Sequence, residues 1–245
     1  LYNNELLPLD DDVNAQLQDE ATWSVEEINE KIASLNEMRK ARVQKQWDNA
    51  VASGEKLSED LDISILFDNL GCTFSTSVLQ GTAVVDKQWE YGNASNFKTQ
   101  FGTMEVWNQS PFEVKQTMTG LPAGTYTLKT RAFYRTASSL DNYANYNPDA
   151  DYAFIFAGHQ QTPITNMDAI ATSNAEEFTN SAEAYNDVST ILYVTNNQAA
   201  GYNIFENEDY DGQLLKSVST VLTETGDLTF GVRTEQMEDN SWVLW

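Results

Sequence analysis

The sequence predicts a mainly β protein, an antiparallel two-sheet sandwich behind an N-terminal helical segment. Three observations carry this. From about residue 61 the chain breaks into short runs rich in Thr, Val, Tyr and Phe, separated by turn residues, with no alternating helices. Phe112, Val114, Gln116 and Met118 alternate with Glu113, Lys115, Thr117 and Thr119, the period of a half-buried strand. Before residue 61 the apolar period is that of a helix.

The helix comes first. Ser24-Val25-Glu26-Glu27 fits a capping box, with the hydroxyl at the cap and the carboxylate three residues on. Ile28, Ile32, Leu35, Met38, Val43, Trp47 and Val51 then recur at near-helical spacing, and Gly54 is a natural stop. The spacing predicts a long helix over about 25–52. Residues 1–60 thus read as a helical segment and linker, and 61–245 as the β-sandwich. The stripe Ile28/Ile32/Leu35/Trp47 is expected to pack on other protein, since an exposed one invites aggregation.

In the β region, Gly120-Leu121-Pro122-Ala123-Gly124 is turn chemistry, and Thr125 to Tyr134 reads as a returning strand, so an antiparallel hairpin is expected. Further strands are expected at Ile63–Phe67, Tyr152–Ala157, Thr190–Val194, Leu215–Leu222 and Leu228–Thr234, with Trp242 opening another. Thr225-Gly226-Asp227 signals a tight turn. Residues 136–150 and 166–187 read as polar loops, the second with room for a short helix.

Composition narrows the function. The net charge is −23, from 37 acidic and 14 basic residues. Such a chain is repelled by phosphate backbones and anionic membrane surfaces, so nucleic-acid partners are disfavoured. No apolar run approaches the ~20 residues that cross a bilayer, and no membrane insertion is expected. One cysteine, Cys72, and one histidine, His159, rule out cysteine-rich zinc sites and leave a Ser-His-Asp or Cys-His mechanism only His159. No nucleophile-elbow, P-loop, dinucleotide or zinc-protease motif is present, so no enzymatic activity is expected.

One stretch resembles a family. Glu105-Val106-Trp107-Asn108, then Phe112 to Tyr126, then Ala132-Phe133-Tyr134-Arg135, looks like the central hairpin of galactose-binding-like jelly-roll domains, the carbohydrate-binding modules of large secreted or surface proteins from glycan-degrading gut bacteria. Tyr152 to Gly158 is similar to the following strand, and Gly226 to Arg233 with Trp242 to the closing strands. The resemblance covers roughly residues 61–245. It implies an extracytoplasmic, non-catalytic module, sugar binding, neighbouring domains in a larger protein and, in many relatives, a structural calcium. The chain departs from it in offering Ile65-Leu66-Phe67-Asp68-Asn69 where an Asn-Pro-x-Phe strand often opens the domain.

Sugar recognition needs an aromatic face to stack on a pyranose and amides or carboxylates to bond its hydroxyls. Three segments have that composition: Trp89 to Asn93, Asp141 to Asn147, and Tyr202 to Asn207. The second is preferred, so the expected ligand residues are Tyr143, Tyr146, Asn142 and Asn145, followed by Trp89 and Tyr91. Trp107, inside strand-like sequence, is expected in the core. Calcium has two candidates, Glu206 to Asp211 and the pair Asp149/Asp151; neither matches an EF-hand loop. The leading functional reading is a glycan-binding or adhesion module. The alternatives are a structural spacer that docks neighbouring domains, and a glycoside-active enzyme.

Overall fold

The computed structural model describes residues 24–53, 61–66, 89, 90, 92, 94, 96–100, 103–138, 141, 142, 147, 149–170, 182–186 and 191–245. The chain divides into two compact units, Leu1–Leu66 and Phe67–Trp245.

In the first unit, helix α1 spans Val25–Ser53, within a residue of the predicted span. Its capping box is complete. Glu27 N–H donates to Ser24 Oγ (3.2 Å), and the Glu27 carboxylate accepts from Ser24 N–H (2.7 Å). These bonds hold the Glu27 carboxyl below its usual range. Residues Ser64–Leu66 form a 3-10 turn where a strand was expected. The Asp62 side chain explains the difference: it accepts from Ser64 N–H (2.9 Å), a local bond that closes a turn and competes with extended backbone. Asp62 also pairs with Arg39 (3.3 Å) and fastens the turn to the helix. Val43 is buried; of the expected stripe, Leu35 and Trp47 are half-buried and Ile28 and Ile32 stand exposed, as do Met38 and Val51.

The second unit is mainly β. Strands β1 (Phe97–Gln100), β2 (Thr103–Trp107), β5 (Phe133–Arg135), β8 (Thr165–Asn166) and β13 (Trp242–Leu244) form a five-stranded sheet in the order β1-β2-β13-β5-β8. Strands β3 (Glu113–Leu121), β6 (Ala153–Ala157), β7 (Gln160–Pro163) and β12 (Gly226–Thr234) form a four-stranded sheet in the order β3-β12-β6-β7. Two ribbons join β4 (Gly124–Arg131) to β11 (Leu215–Leu222) and β9 (Ala182–Asn186) to β10 (Ile191–Thr195). All pairs are antiparallel except β5 with β8.

The expected β3–β4 hairpin is not formed. β3 pairs with β12, and β4 pairs with β11. The Pro122-Ala123 turn therefore carries the chain from one sheet to another, and the 223–225 turn carries β11 back to β12. The two corners are tied together. Gly120 N–H, at a glycine with φ +68°, donates to Asp227 Oδ1 (3.0 Å), and Tyr126 O–H donates to Pro122 O (2.7 Å). Turn chemistry marks where the chain reverses but leaves its pairing partner open.

Two apolar layers result. Phe97 and Phe112 lie against Trp245, with ring centroids 6.1 and 6.2 Å apart. Phe112 enters β3 and Trp245 follows β13, so this contact joins the four- and five-stranded sheets. A second cluster covers the opposite face of the five-stranded sheet. There Phe133, Trp242 and Leu244 pack with Met167, Ile170, Val194, Leu214 and two residues of helix α2 (Gln198–Phe205), Ile204 and Phe205. Asn197 caps α2, its side chain accepting from Ala200 N–H (2.8 Å). Gly201 permits the approach: a Cβ there would stand 2.1 Å from Leu244 Cδ2 and 3.2 Å from Phe133 Cζ. The sheet is buried on both sides here, so every residue of β5 and β13 is buried and neither strand alternates.

Candidate functional site

β13 lies between β2 and β5, with Trp242 opposite both Trp107 and Arg135. The three side chains form one row across the sheet, on the face that α2 covers further along at Leu244 and Phe133. Asn108 N–H donates to Ser241 O (2.7 Å). That bond flanks the Trp107/Trp242 pair and makes it a non-hydrogen-bonded pair, the geometry that brings cross-strand side chains closest.

Trp242 and Arg135 are committed to partners within the fold. Trp242 is buried; its ring meets Phe133 edge-on at 5.3 Å and carries the Arg135 guanidinium 5.4 Å from its centroid. Arg135 donates to Asn240 O (3.3 Å) and to the Asn196 side chain, so it binds the loop before β13 to the segment before α2. The Trp242 indole N–H donates to Glu105 Oε2 (2.8 Å). Glu105 is itself buried, and desolvation pushes its carboxyl above the usual range against the opposing pull of the Trp242 bond, Lys98 and Arg135.

At the end of the row Trp107 is 41% exposed. It is thus an open, large aromatic side chain on the face of the sheet. Two exposed asparagines border it, Asn108 and Asn240, both at positive φ (51° and 65°). Asn240 N–H donates to Asn108 Oδ1 (2.6 Å). Ser110 closes the same edge, its hydroxyl accepting from Met237 N–H (2.7 Å) and donating to Met237 O (3.1 Å). The rim is thus cross-strapped, and an apolar ring flanked by amides is presented on a rigid floor.

The residues singled out in the sequence fall elsewhere. Trp89 is buried, edge-on to Phe230 at 5.9 Å. Asn142 is 1% exposed and its amide is consumed internally. Its Oδ1 accepts from Thr136 N–H (2.7 Å), Thr136 Oγ1 (2.8 Å) and Asn166 Nδ2 (3.2 Å), while its Nδ2 donates to Asn166 Oδ1 (3.0 Å) and the Asp168 carboxylate. Asn142 is therefore an anchor for the loop around it. Tyr91, Tyr143, Asn145 and Tyr146 lie outside the described residues, as does Cys72. Tyr202 to Asn207 is mostly helix, with Ile204 and Phe205 in the core. His159 is exposed at the β6–β7 turn.

Trp107 reverses its expected core placement. Its tryptophan sits at the last position of β2, where the strand gives way to a loop; that end position, followed by Asn108, is the signal in the sequence.

In the 206–211 segment two of the candidate calcium ligands have other partners. Asp211 is held by Arg131 through two bonds (2.6 and 2.9 Å), which keeps its carboxyl low, and Asn207 caps the following 3-10 turn. Among the described residues no group of three or more His, Cys, Asp or Glu gathers to hold a metal. Nor, among them, is any helix long and apolar enough to cross a membrane.

Glu105 supplies a pH prediction. A carboxyl whose folded pKa is raised holds its proton more tightly folded than unfolded. Its contribution to stability is therefore fully present below the unfolded value and falls as pH rises through the raised folded value. Glu105→Gln, which keeps the indole acceptor, is expected to flatten that fall and to be more stable than the parent at neutral pH. Thermal melts of both proteins from acid to neutral pH check this; a variant less stable at neutral pH would show that the charge is favourable there.

Comparison with protein-family models, with curated proteins and with solved structures finds no match to this chain.

Proposed function

We propose that the chain is a non-catalytic glycan-binding or adhesion module of a larger secreted or cell-surface protein, built as a galactose-binding-like jelly-roll sandwich. The observation that carries the reading is the exposed Trp107 ring, bordered by Asn108 and Asn240 and set beside the buried, bonded Trp242 in one cross-strand row. Stacking on the C–H face of a pyranose needs such a platform, and hydroxyls need groups that both donate and accept, as amides do. The non-sequential pairing of β3 and β4 supports the sandwich, since chains that cross between sheets at each corner are how such folds are wound. Tyr143, Tyr146 and Asn145 stay candidate contacts on the loop that Asn142 anchors.

A docking spacer is the second reading, favoured by the apolar residues that α1 leaves exposed. A glycan-array screen of the whole chain, with and without calcium, separates the two. Binding to a defined set of glycans, lost on Trp107→Ala, is expected of a module. Silence on a broad array in both conditions would favour the spacer.

A further inference from the structure

We infer that Lys98 sets the specificity of the Trp107 face: the sugar stacked on that ring is a uronic acid, oriented with its C6 carboxylate toward strand β1. The inference rests on the glycan-binding reading and names the substrate class of that same site. The register of the sheet sets the geometry. Lys98 stands directly opposite Glu105, and Glu105 lies two residues before Trp107 on β2, so the three side chains leave the same face. The bond from the Trp242 indole to Glu105 Oε2 places Trp242 on that face too. Lys98 and Trp107 are therefore diagonal cross-strand neighbours, about 7–8 Å apart, a separation that long side chains bridge. The start of β1 is fixed against Trp107. Asn96 O accepts from Trp107 N–H (3.5 Å), and Asn96 N–H donates to Gln109 Oε1 (3.2 Å).

Lys98 is exposed, and with the described residues it makes neither an ion pair nor a hydrogen bond. Its charge acts on Glu105 across the strand pair, but that carboxyl is buried and already accepts from Trp242. The ammonium is thus an open donor beside the ring. The other flank bears the opposite sign. Glu238 and Asp239, both exposed, immediately precede Asn240 on the β13 side. The strand order β1-β2-β13 sets Lys98 and these acids on opposite sides of Trp107, two strand spacings or about 10 Å apart. The screening length at physiological salt is about 8 Å, so the rim acids and the net charge of −23 act weakly at Lys98. A carboxylate in contact with the ammonium, by contrast, makes a charge-assisted bond. The same asymmetry fixes orientation. A carboxylate turned toward β13 meets the acids; turned toward β1, it meets Lys98 and leaves the ring hydroxyls to Asn108 and Asn240.

The test titrates the whole chain by ligand-observed NMR with four methyl glycosides: glucoside and glucuronide, galactoside and galacturonide, each pair differing only at C6. The better uronide is expected to bind at least about tenfold more tightly than its neutral counterpart, since a charge-assisted bond is roughly twice as strong as a neutral one. Raising salt from about 0.15 M to about 1 M shortens the screening length from ~8 to ~3 Å and is expected to shrink that preference. Lys98→Gln is expected to abolish the preference and Lys98→Arg to keep it, with a thermal melt of each variant confirming that it is folded. Trp107→Ala is expected to weaken the uronide and the neutral sugar alike. A uronide that binds no better than its neutral counterpart, or a preference that survives Lys98→Gln, overturns the inference and leaves glycan binding intact. If none of the four binds, the inference fails, and the glycan array decides the glycan-binding reading separately.

Discussion

Gly231→Ala is expected to lower stability by about 3 kcal/mol, the upper end of the range for forcing extra atoms into a packed interior. Gly231 lies in the middle of β12, opposite Lys115 of β3 and Phe156 of β6. A Cβ at this position would stand 2.0 Å from Val114 O and 2.8 Å from Lys115 Cα. Both are backbone atoms, so no rotamer change relieves the clash. The central ladder of the four-stranded sheet would have to part, and Val114 and Val232, both buried, would lose their packing with it. Denaturant unfolding of the two proteins checks the value. A loss below about 1 kcal/mol would mean that β3 and β12 separate more easily than so close an approach allows.

Trp242→Ala is expected to cost about 3–5 kcal/mol, the usual range for emptying a large aromatic from a core. The ring is surrounded by Phe133 and Arg135, and its N–H is the bonded partner of a buried carboxylate. Removing it leaves a cavity, strips the roof contact from Arg135 and leaves Glu105 buried without its donor, a state that costs about 1–3 kcal/mol by itself. For a domain of this size the melting temperature should fall by roughly 10 °C. Trp242→Phe separates the terms, since it fills most of the volume and removes only the donor. It should cost less than the alanine variant and should also push the Glu105 carboxyl further upward. Equal losses in both variants would locate the whole effect in the indole–carboxylate bond.

Much of the fold was legible because local chemistry dictates local structure. The α1 capping box needed only Ser24 and Glu27, and the reversal at residues 122–123 needed only Pro122 between two glycines. β11 was bounded correctly because its flanks change texture abruptly. Pairing was not legible. Whether β3 meets β4 or β12 depends on contacts more than a hundred residues apart, such as Gly120 with Asp227, and no local pattern encodes them. Helix α2 was missed for a related reason. Gln198 to Phe205 is too short for a clear period, and its stability comes from the Asn197 cap and from Gly201 resting on Leu244.

The candidate site was the least legible part. Composition pointed to segments where several aromatics and amides adjoin in sequence, whereas Asn240 joins Trp107 and Asn108 only in space, through the pairing of β2 with β13. Asn142 shows the converse. An amide beside tyrosines suggested a ligand contact, yet its neighbours in the fold are Thr136, Asn166 and Asp168, which absorb its hydrogen-bonding capacity. Trp107 itself was read inward because strand tryptophans usually are. The structure sets it on the same face as Trp242, at the last position of β2, and leaves it 41% exposed there.

The most direct test of the account is a calorimetric titration of Trp107→Ala beside the parent, with the best glycan from the array and a thermal melt of each protein. Trp107 is 41% exposed whereas Trp242 is buried, so the account predicts a far smaller loss of melting temperature than Trp242→Ala gives and an affinity lower by about five- to thirtyfold, the loss of one stacking ring worth about 1–2 kcal/mol. Unchanged affinity with unchanged melting would contradict it and move the site to the Tyr143/Tyr146 loop.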